Sequence, residues 1–157
     1  MQTDAILAQW RKLSALPGGK RLFSIVIGRT VPYSGSIGAR VETLEPGYAR
    51  IVLKERRAVR NHLASVHAVA LTNLGELASG LAMLTGLPSG MRGIVVQLTT
   101  EYFEKARGVL TAECRCEVEA STEERELDVS ASISDADGAL VARVTARWKV
   151  GPEPLKS

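Results

Sequence analysis

Aromatic residues are scarce, only 4% of the 157-residue chain, and histidine and cysteine occur twice each. Two histidines, His62 and His67, with two cysteines, Cys114 and Cys116, fall short of the clustered ligands a metal site needs. The cysteines stand two apart in an apparent strand, on one face, without the geometry of a bridge. No metal and no cofactor is therefore expected. Charge of one sign is also lacking: the net formal charge is +3. The basic clusters carry no interleaved aromatics for stacking bases, so nucleic acid is not an expected partner. Charge-free stretches such as Leu63 to Gly75 are too short to span a bilayer. Met1 to Leu16 holds Asp4, Trp10, Arg11 and Lys12 where an export signal needs continuous hydrophobics. No membrane association and a cytoplasmic location are the expectations.

What is present is ordinary for a soluble domain with a real core, 45% apolar and 24% charged. Ile6, Leu7, Trp10, Leu13 and Leu16 recur at helical spacing and predict a helix over Thr3 to Leu16, ended by Pro17-Gly18-Gly19. After a linker containing Pro32 and Gly35, Ile37 to Leu44 and Tyr48 to Leu53 read as a hairpin around Glu45-Pro46-Gly47. A basic connection, Lys54 to Arg60, leads to a helix from about Val66 to Thr85, apolar almost all round and hence buried. Four strands follow, Gly93 to Tyr102, Val109 to Val118, Leu127 to Ser134 and Leu140 to Val150. The organisation is residues 1–30 as N-terminal helix and linker, 31–150 as the main domain and 151–157 as a flexible tail. An α+β fold satisfies this order: a curved six-stranded antiparallel sheet wrapped around a long central helix, with an extra N-terminal helix. One side of that helix still needs cover, and a second copy pairing sheet edge to edge would supply it. A homodimer, possibly a dimer of dimers, is expected.

Polar exceptions on an apolar helix are informative. Glu76 stands mid-helix, where a carboxylate is costly unless it is paired or lines a wet cavity. Arg92 or Arg50 could pair with it, or that face could be exposed; Thr72 and Asn73 lie on its side and could orient it. Asn61, His62 and His67 occupy the connection into the helix, with Ser65 placed as N-cap. Free N–H groups at Ala68 and Val69 could stabilise an oxyanion, although plain capping explains the same residues. His67 and Glu76 are nine residues apart, about 13 Å along a helix and half a turn in azimuth. They can share a site only across a two-fold axis between subunits.

The stretch from Asn61 through His67-Ala68-Val69 to Glu76 resembles the entry and central helix of hotdog-fold acyl-CoA thioesterases. Members of the phenylacetate-pathway type read Asn, five residues, His-Gly-Gly, then an acid nine residues after the His. The likeness extends from Val41–Gly47 to Tyr102–Gly108, over residues 31–150, and an uncharacterised branch described as a domain of unknown function is most similar. The resemblance implies a hotdog fold and an acyl-CoA substrate. It makes Glu76 general base or nucleophile, Asn61 a positioning group, the Ala68 N–H the carbonyl polariser and His67 the shaper of the loop. Ala68-Val69 replaces Gly-Gly, and β-branched Val69 narrows the approach to the backbone. Val69, Asn73, Gln97, Thr99 and Tyr102 would line the substrate, Gln97 or Thr99 supplying a hydroxyl-type contact from the next strand. Arg57, Arg60, Lys105 and Arg107, with Arg56, suit coenzyme A phosphates, or are simply solvated turn charges. A noncatalytic acyl-CoA or lipid-binding protein is the alternative, and a hotdog dehydratase or hydratase fits the spacing less well.

Overall fold

The computed structural model describes residues 3–153. Helix α1 (Thr3–Ser14) buries Ile6, Leu7 and Trp10 and ends before Leu16, which is exposed instead of joining the packed stripe. A second helix, α2 (Gly19–Thr30), occupies the segment expected to be a linker, entered through Gly18 at φ 73°. Its sequence argues locally against a helix: a Gly-Gly start, the strand-favouring run Ser24-Ile25-Val26-Ile27 and no side-chain cap. Packing overrides that preference. Phe23 and Ile27, one turn apart, are buried, and Phe23 meets Trp10 edge-on with ring centroids 5.0 Å apart. One further turn, α3 (Pro32–Gly35), starts on Pro32, a residue suited to a first helical position.

Strands β1 (Arg40–Glu45) and β2 (Tyr48–Lys54) close as a hairpin at Glu45 and Tyr48. Gly47 takes φ 71°, the positive value a Pro-Gly turn needs at its second residue. Strands β3 (Met91–Tyr102), β4 (Val109–Arg115), β5 (Arg125–Ser134) and β6 (Leu140–Pro152) complete a six-stranded sheet in the order β1-β2-β4-β5-β6-β3. Every neighbouring pair is antiparallel. The tail is thus shorter than expected: Gly151 and Pro152 still pair with Arg92 and Met91, and residues 154–157 lie outside the described part. β4 stops before Cys116, so Cys114 is a buried strand residue and Cys116 sits just past it, both free. Burial pushes the two thiols up to about 12 and about 11, respectively.

Helix α4 (Ala68–Gly86) lies in the hollow of the sheet and packs against all six strands. It is long and apolar enough to cross a membrane by composition alone, yet 67% of its most apolar stretch is buried within the protein. Fully buried Ala112, Ala131 and Ala146 let it settle close. Gly75 seats it on β6, since a Cβ there would collide with the Val144 methyls. The core is continuous from Ile6 in α1 to Val150 in β6. α2 packs beside the outer strand β1, whereas β3 at the other edge has no outer neighbour among the described residues. There Ile94 is 64%, Val96 50% and Leu98 42% exposed. The whole is the α+β hotdog arrangement, with three short helical elements ahead of the sheet where one was expected.

Candidate active site

The entry to α4 is a loop built on Asn61. Its Oδ1 accepts hydrogen bonds from the Leu63 N–H (2.9 Å), the Ser65 N–H (3.2 Å) and the Ser65 hydroxyl (3.2 Å). That closes residues 61–65 into a turn in which Ala64 takes φ 53°. Ser65 is therefore buried against Asn61 and does not cap the helix. The N-cap is His67, whose Nδ1 accepts from the Val69 N–H at 3.1 Å. This places the proton of the neutral ring on Nε2. Among the described residues the Ala68 N–H has no acceptor, and Ala68 is exposed. One aligned donor is left facing outward at the positive end of α4. His62 is exposed nearby.

Glu76 lies more than two turns further along, half-buried. Neither expected arginine reaches it, because Arg92 pairs with Glu124 at 3.3 Å and Arg50 with Glu113 at 3.9 Å. Its partner is the Ser34 hydroxyl of α3, which donates to Oε2 at 3.5 Å. Burial pushes the carboxyl above its ordinary value, and the Ser34 hydrogen bond opposes this only in part. The two residues expected to orient Glu76 are engaged elsewhere. Asn73, buried, donates from Nδ2 to the Tyr33 carbonyl at 3.2 Å while its Oδ1 finds no partner among the described residues. Thr72 joins a hydroxyl cluster with Thr100 (2.8 Å) and Tyr102 (3.1 Å), and Tyr102 also donates to the Ala68 carbonyl at 3.2 Å.

That cluster corrects the reading of β3. Leu98, Thr100 and Tyr102 pair with Ala146, Val144 and Ala142, whose side chains are buried on the α4 side. Gln97 and Thr99 pair with Arg147 and Thr145 on the opposite face, where they line a small recess with Asp128. Neither can contact a ligand at α4, and the β3 hydroxyl beside the helix is that of Thr100. An irregularity between Val95 and Gln97 breaks the strand's simple alternation, which hid this from the residue pattern. Ser34 had no signal in the sequence, since it is 42 residues from Glu76 in what read as linker.

Arg57 and Lys105 are exposed and form no ion pair among the described residues. Arg60 is held by Glu55 at 2.6 Å, and Arg107 donates to the Ala64 carbonyl at 3.2 Å. The Gly108 N–H and then Arg60 hold the Glu55 carboxyl below its ordinary value. Arg56 donates to the Ile37 carbonyl at 2.9 Å. Among the described residues no three His, Cys, Asp or Glu side chains gather as a metal site. One chain thus brings together His67, Ala68, Val69 and Tyr102 at the helix mouth, and Glu76 with Ser34 further along, without joining the two groups.

The family described as "Domain of unknown function (DUF4442)" matches residues 19–150, which include α2, α3 and the whole sheet apart from the end of β6. Among solved structures, a genomics target is similar over 94% of this chain and 98% of its own, at 30% identity and a TM-score of 0.80. A Pseudomonas aeruginosa protein of unknown function, described as a probable thioesterase, is 28% identical over 88% of this chain and 97% of its own, with a TM-score of 0.75. A hypothetical thioesterase of Streptococcus pneumoniae solved with coenzyme A shares the fold, at 19% identity over 80% of this chain and 98% of its own, with a TM-score of 0.65. No curated protein matches. By the span of the family match and by its nearly full-length structural likeness, the chain belongs to the DUF4442 family, a branch of the hotdog-fold thioesterase superfamily.

Proposed function

We propose that this protein hydrolyses acyl-CoA thioesters at a site shared by two copies of the chain. The observation that carries the reading is the division of the machinery. Among the described residues a half-buried carboxylate with no cationic partner sits on α4, and an unoccupied N–H donor sits at the mouth of the same helix, too far along the axis to meet it. The bare β3 edge beside that face is where a second copy would pair and bring Glu76 to its partner's helix mouth. The thioesterase descriptions of the Pseudomonas and Streptococcus structures, one of them with coenzyme A, support the same activity.

In this mechanism Glu76 takes a proton from water as the water oxygen bonds to the thioester carbon. The carbonyl oxygen gains negative charge and receives the Ala68 N–H. The C–S bond then breaks, the acid is released, and the thiolate of coenzyme A takes up the proton. A carboxyl raised by burial is a stronger base than an ordinary one once ionised. Arg57 and Lys105, the cations free of internal pairs near the entry, suit the coenzyme A phosphates. One observation favours a noncatalytic acyl-CoA binder instead: Val69, 53% exposed, projects where the resemblance expects glycine. Release of free thiol from a panel of acyl-CoAs by wild type and Glu76→Gln decides. Turnover that falls by about 10²–10⁴ in the variant supports hydrolysis; turnover unchanged by it removes Glu76 from the chemistry, and tight binding without turnover supports the binder.

A further inference from the structure

Charge is divided unevenly along the chain. No Asp or Glu stands between Asp4 and Glu42, a segment holding six of the twenty Lys and Arg, so the rest of the chain sets fourteen cations against all seventeen acids. That segment folds into α1, α2 and α3, ahead of the sheet. Lys20 and Arg40 share Glu42, but Arg11, Lys12, Arg21 and Arg29 are exposed and have no ion-pair partner among the described residues. Large apolar side chains are exposed on the same elements. Leu22 is 50% and Ile25 42% exposed on α2, with Leu16 before that helix and Val31 and Tyr33 after it. At 3.6 residues per turn, Arg21, Leu22, Ile25 and Arg29 fall within an arc of about 100° on α2, opposite buried Phe23 and Ile27. Along the stripe a cation is followed by two aliphatics and a second cation. Arg21, Ile25 and Arg29 also line a cavity beside β1 that has Arg40 and Lys54 on its walls and no acidic side chain, so no carboxylate of the fold neutralises them there.

Few partners use both halves of such a stripe. A nucleic acid would engage the cations but leave the aliphatics idle, and α2 exposes no ring on which a base could stack. A second copy related by a two-fold axis would set Arg21 and Arg29 against like charges. An anionic bilayer uses both: aliphatic side chains enter between the head groups while long cationic ones reach back to the phosphates, and an exposed tyrosine suits the same interface. We propose that the exposed face of α2 docks peripherally on an anionic lipid surface, Leu22 and Ile25 entering the head-group layer and Arg21 and Arg29 contacting lipid phosphates. Arg11 and Lys12, in the last turn of α1, add to the attraction. The expectation of no membrane association rested on spanning and export segments, neither of which a peripheral contact needs. The contact is independent of the proposed thioester hydrolysis, which uses none of these residues.

Sedimentation of the full chain with vesicles of phosphatidylcholine alone, or with about 30% phosphatidylserine, tests it. Binding is expected to the anionic vesicles only, and should fall by at least about tenfold between about 0.1 M and about 0.5 M salt. Arg21→Glu/Arg29→Glu and Leu22→Ser/Ile25→Ser, all at exposed positions, should each weaken it by at least about tenfold. Arg21→Lys/Arg29→Lys, which keeps the charge, and Glu76→Gln should bind as wild type does. Melting curves identify any variant that does not fold, in which case the other pair decides. Absence of binding to the anionic vesicles overturns the proposal, as does equal binding to phosphatidylcholine or binding untouched by either pair of substitutions. A smaller assembly on gel filtration of Leu22→Ser/Ile25→Ser overturns it in favour of a second copy on this face. Capture of duplex DNA or polyglutamate through Arg21 and Arg29, without vesicle binding, overturns it in favour of a nucleic acid or an acidic protein.

Discussion

Ala68→Pro isolates the proposed oxyanion donor from the helix that carries it. Proline lacks the N–H, but at the first helical position no intrahelical bond needs that hydrogen, and its fixed φ suits the helix. His67, the preceding residue, already has φ −64° and ψ 139°, the extended conformation proline requires before it. The His67 cap to the Val69 N–H at 3.1 Å is untouched. Stability should therefore change by less than about 0.5 kcal/mol. Losing one oxyanion donor should cost about 10²–10³ in kcat, or about 2.7–4 kcal/mol of transition-state stabilisation. Kinetics on a turned-over acyl-CoA, with a melting curve on the same sample, measures both. The shared site adds a stronger test. Ala68→Pro and Glu76→Gln subunits, each inactive, are unfolded together and refolded. About half the resulting dimers are hybrids with one intact site of two, so activity should return to about a quarter of wild type. Unchanged kcat in Ala68→Pro refutes the donor, and hybrids demonstrated by differential tags but without activity refute the site across the two-fold.

Three further outcomes follow from the same geometry. Burial raises the Glu76 carboxyl above its unfolded value near 4.5, so its contribution to stability is complete below that pH and is lost as pH rises through the folded value. Glu76→Gln should thus melt above wild type at about pH 8 and show no advantage at about pH 4, as melting curves at both will report. Ser34→Ala removes the hydroxyl that partly opposes this shift, so the acid limb of the kcat/KM profile should move to higher pH, at a stability cost below about 1 kcal/mol for a hydrogen bond as long as 3.5 Å. Asn61→Ala strands three donors and should cost about 1–3 kcal/mol, a loss of roughly 2–12 °C in Tm in a chain of this size.

The sheet and α4 were legible because their signals are local and agree: alternation in the strands, Glu45-Pro46-Gly47 at the hairpin and an uninterrupted apolar helix ending near Gly86. α2 was not, because its residues favour other structure and only contacts with Trp10 and the core select the helix. At the site, the helix mouth and Glu76 could be picked out as polar exceptions in apolar surroundings. Their partners could not. Ser34 lies 42 residues from Glu76, and whether Thr99 or Thr100 faces α4 depends on an irregularity in β3 that periodicity does not reveal. His67 rather than Ser65 became the cap because Asn61 had already claimed the serine.

A helix that is apolar all round has no hydrophobic reason to present one face rather than another, since burial is non-directional. In α4 the fit of Gly75 against Val144 and the polar residues set the rotation. Thr72 bonds to β3, Asn73 and Glu76 to α3, and Thr85 to the Glu45 carbonyl at the end of β1 (3.0 Å). Asn73 is the member of that set whose removal separates orientation from stability. Its Oδ1 is buried without a partner, a defect worth about 1–3 kcal/mol, and its Nδ2 anchors α3 through the Tyr33 carbonyl. Leucine has nearly its shape and nothing to leave unpaired, and the Tyr33 carbonyl keeps two donors, the Ser36 N–H at 3.1 Å and the Ser36 hydroxyl at 2.6 Å. Asn73→Leu should therefore keep or raise Tm while loosening α3, and with it the hydroxyl that steadies Glu76. The expected signature is a more stable protein whose kcat/KM profile shifts in the direction of Ser34→Ala. A protein less stable by about 2 kcal/mol, with an unshifted profile, would mean that the asparagine serves the core alone.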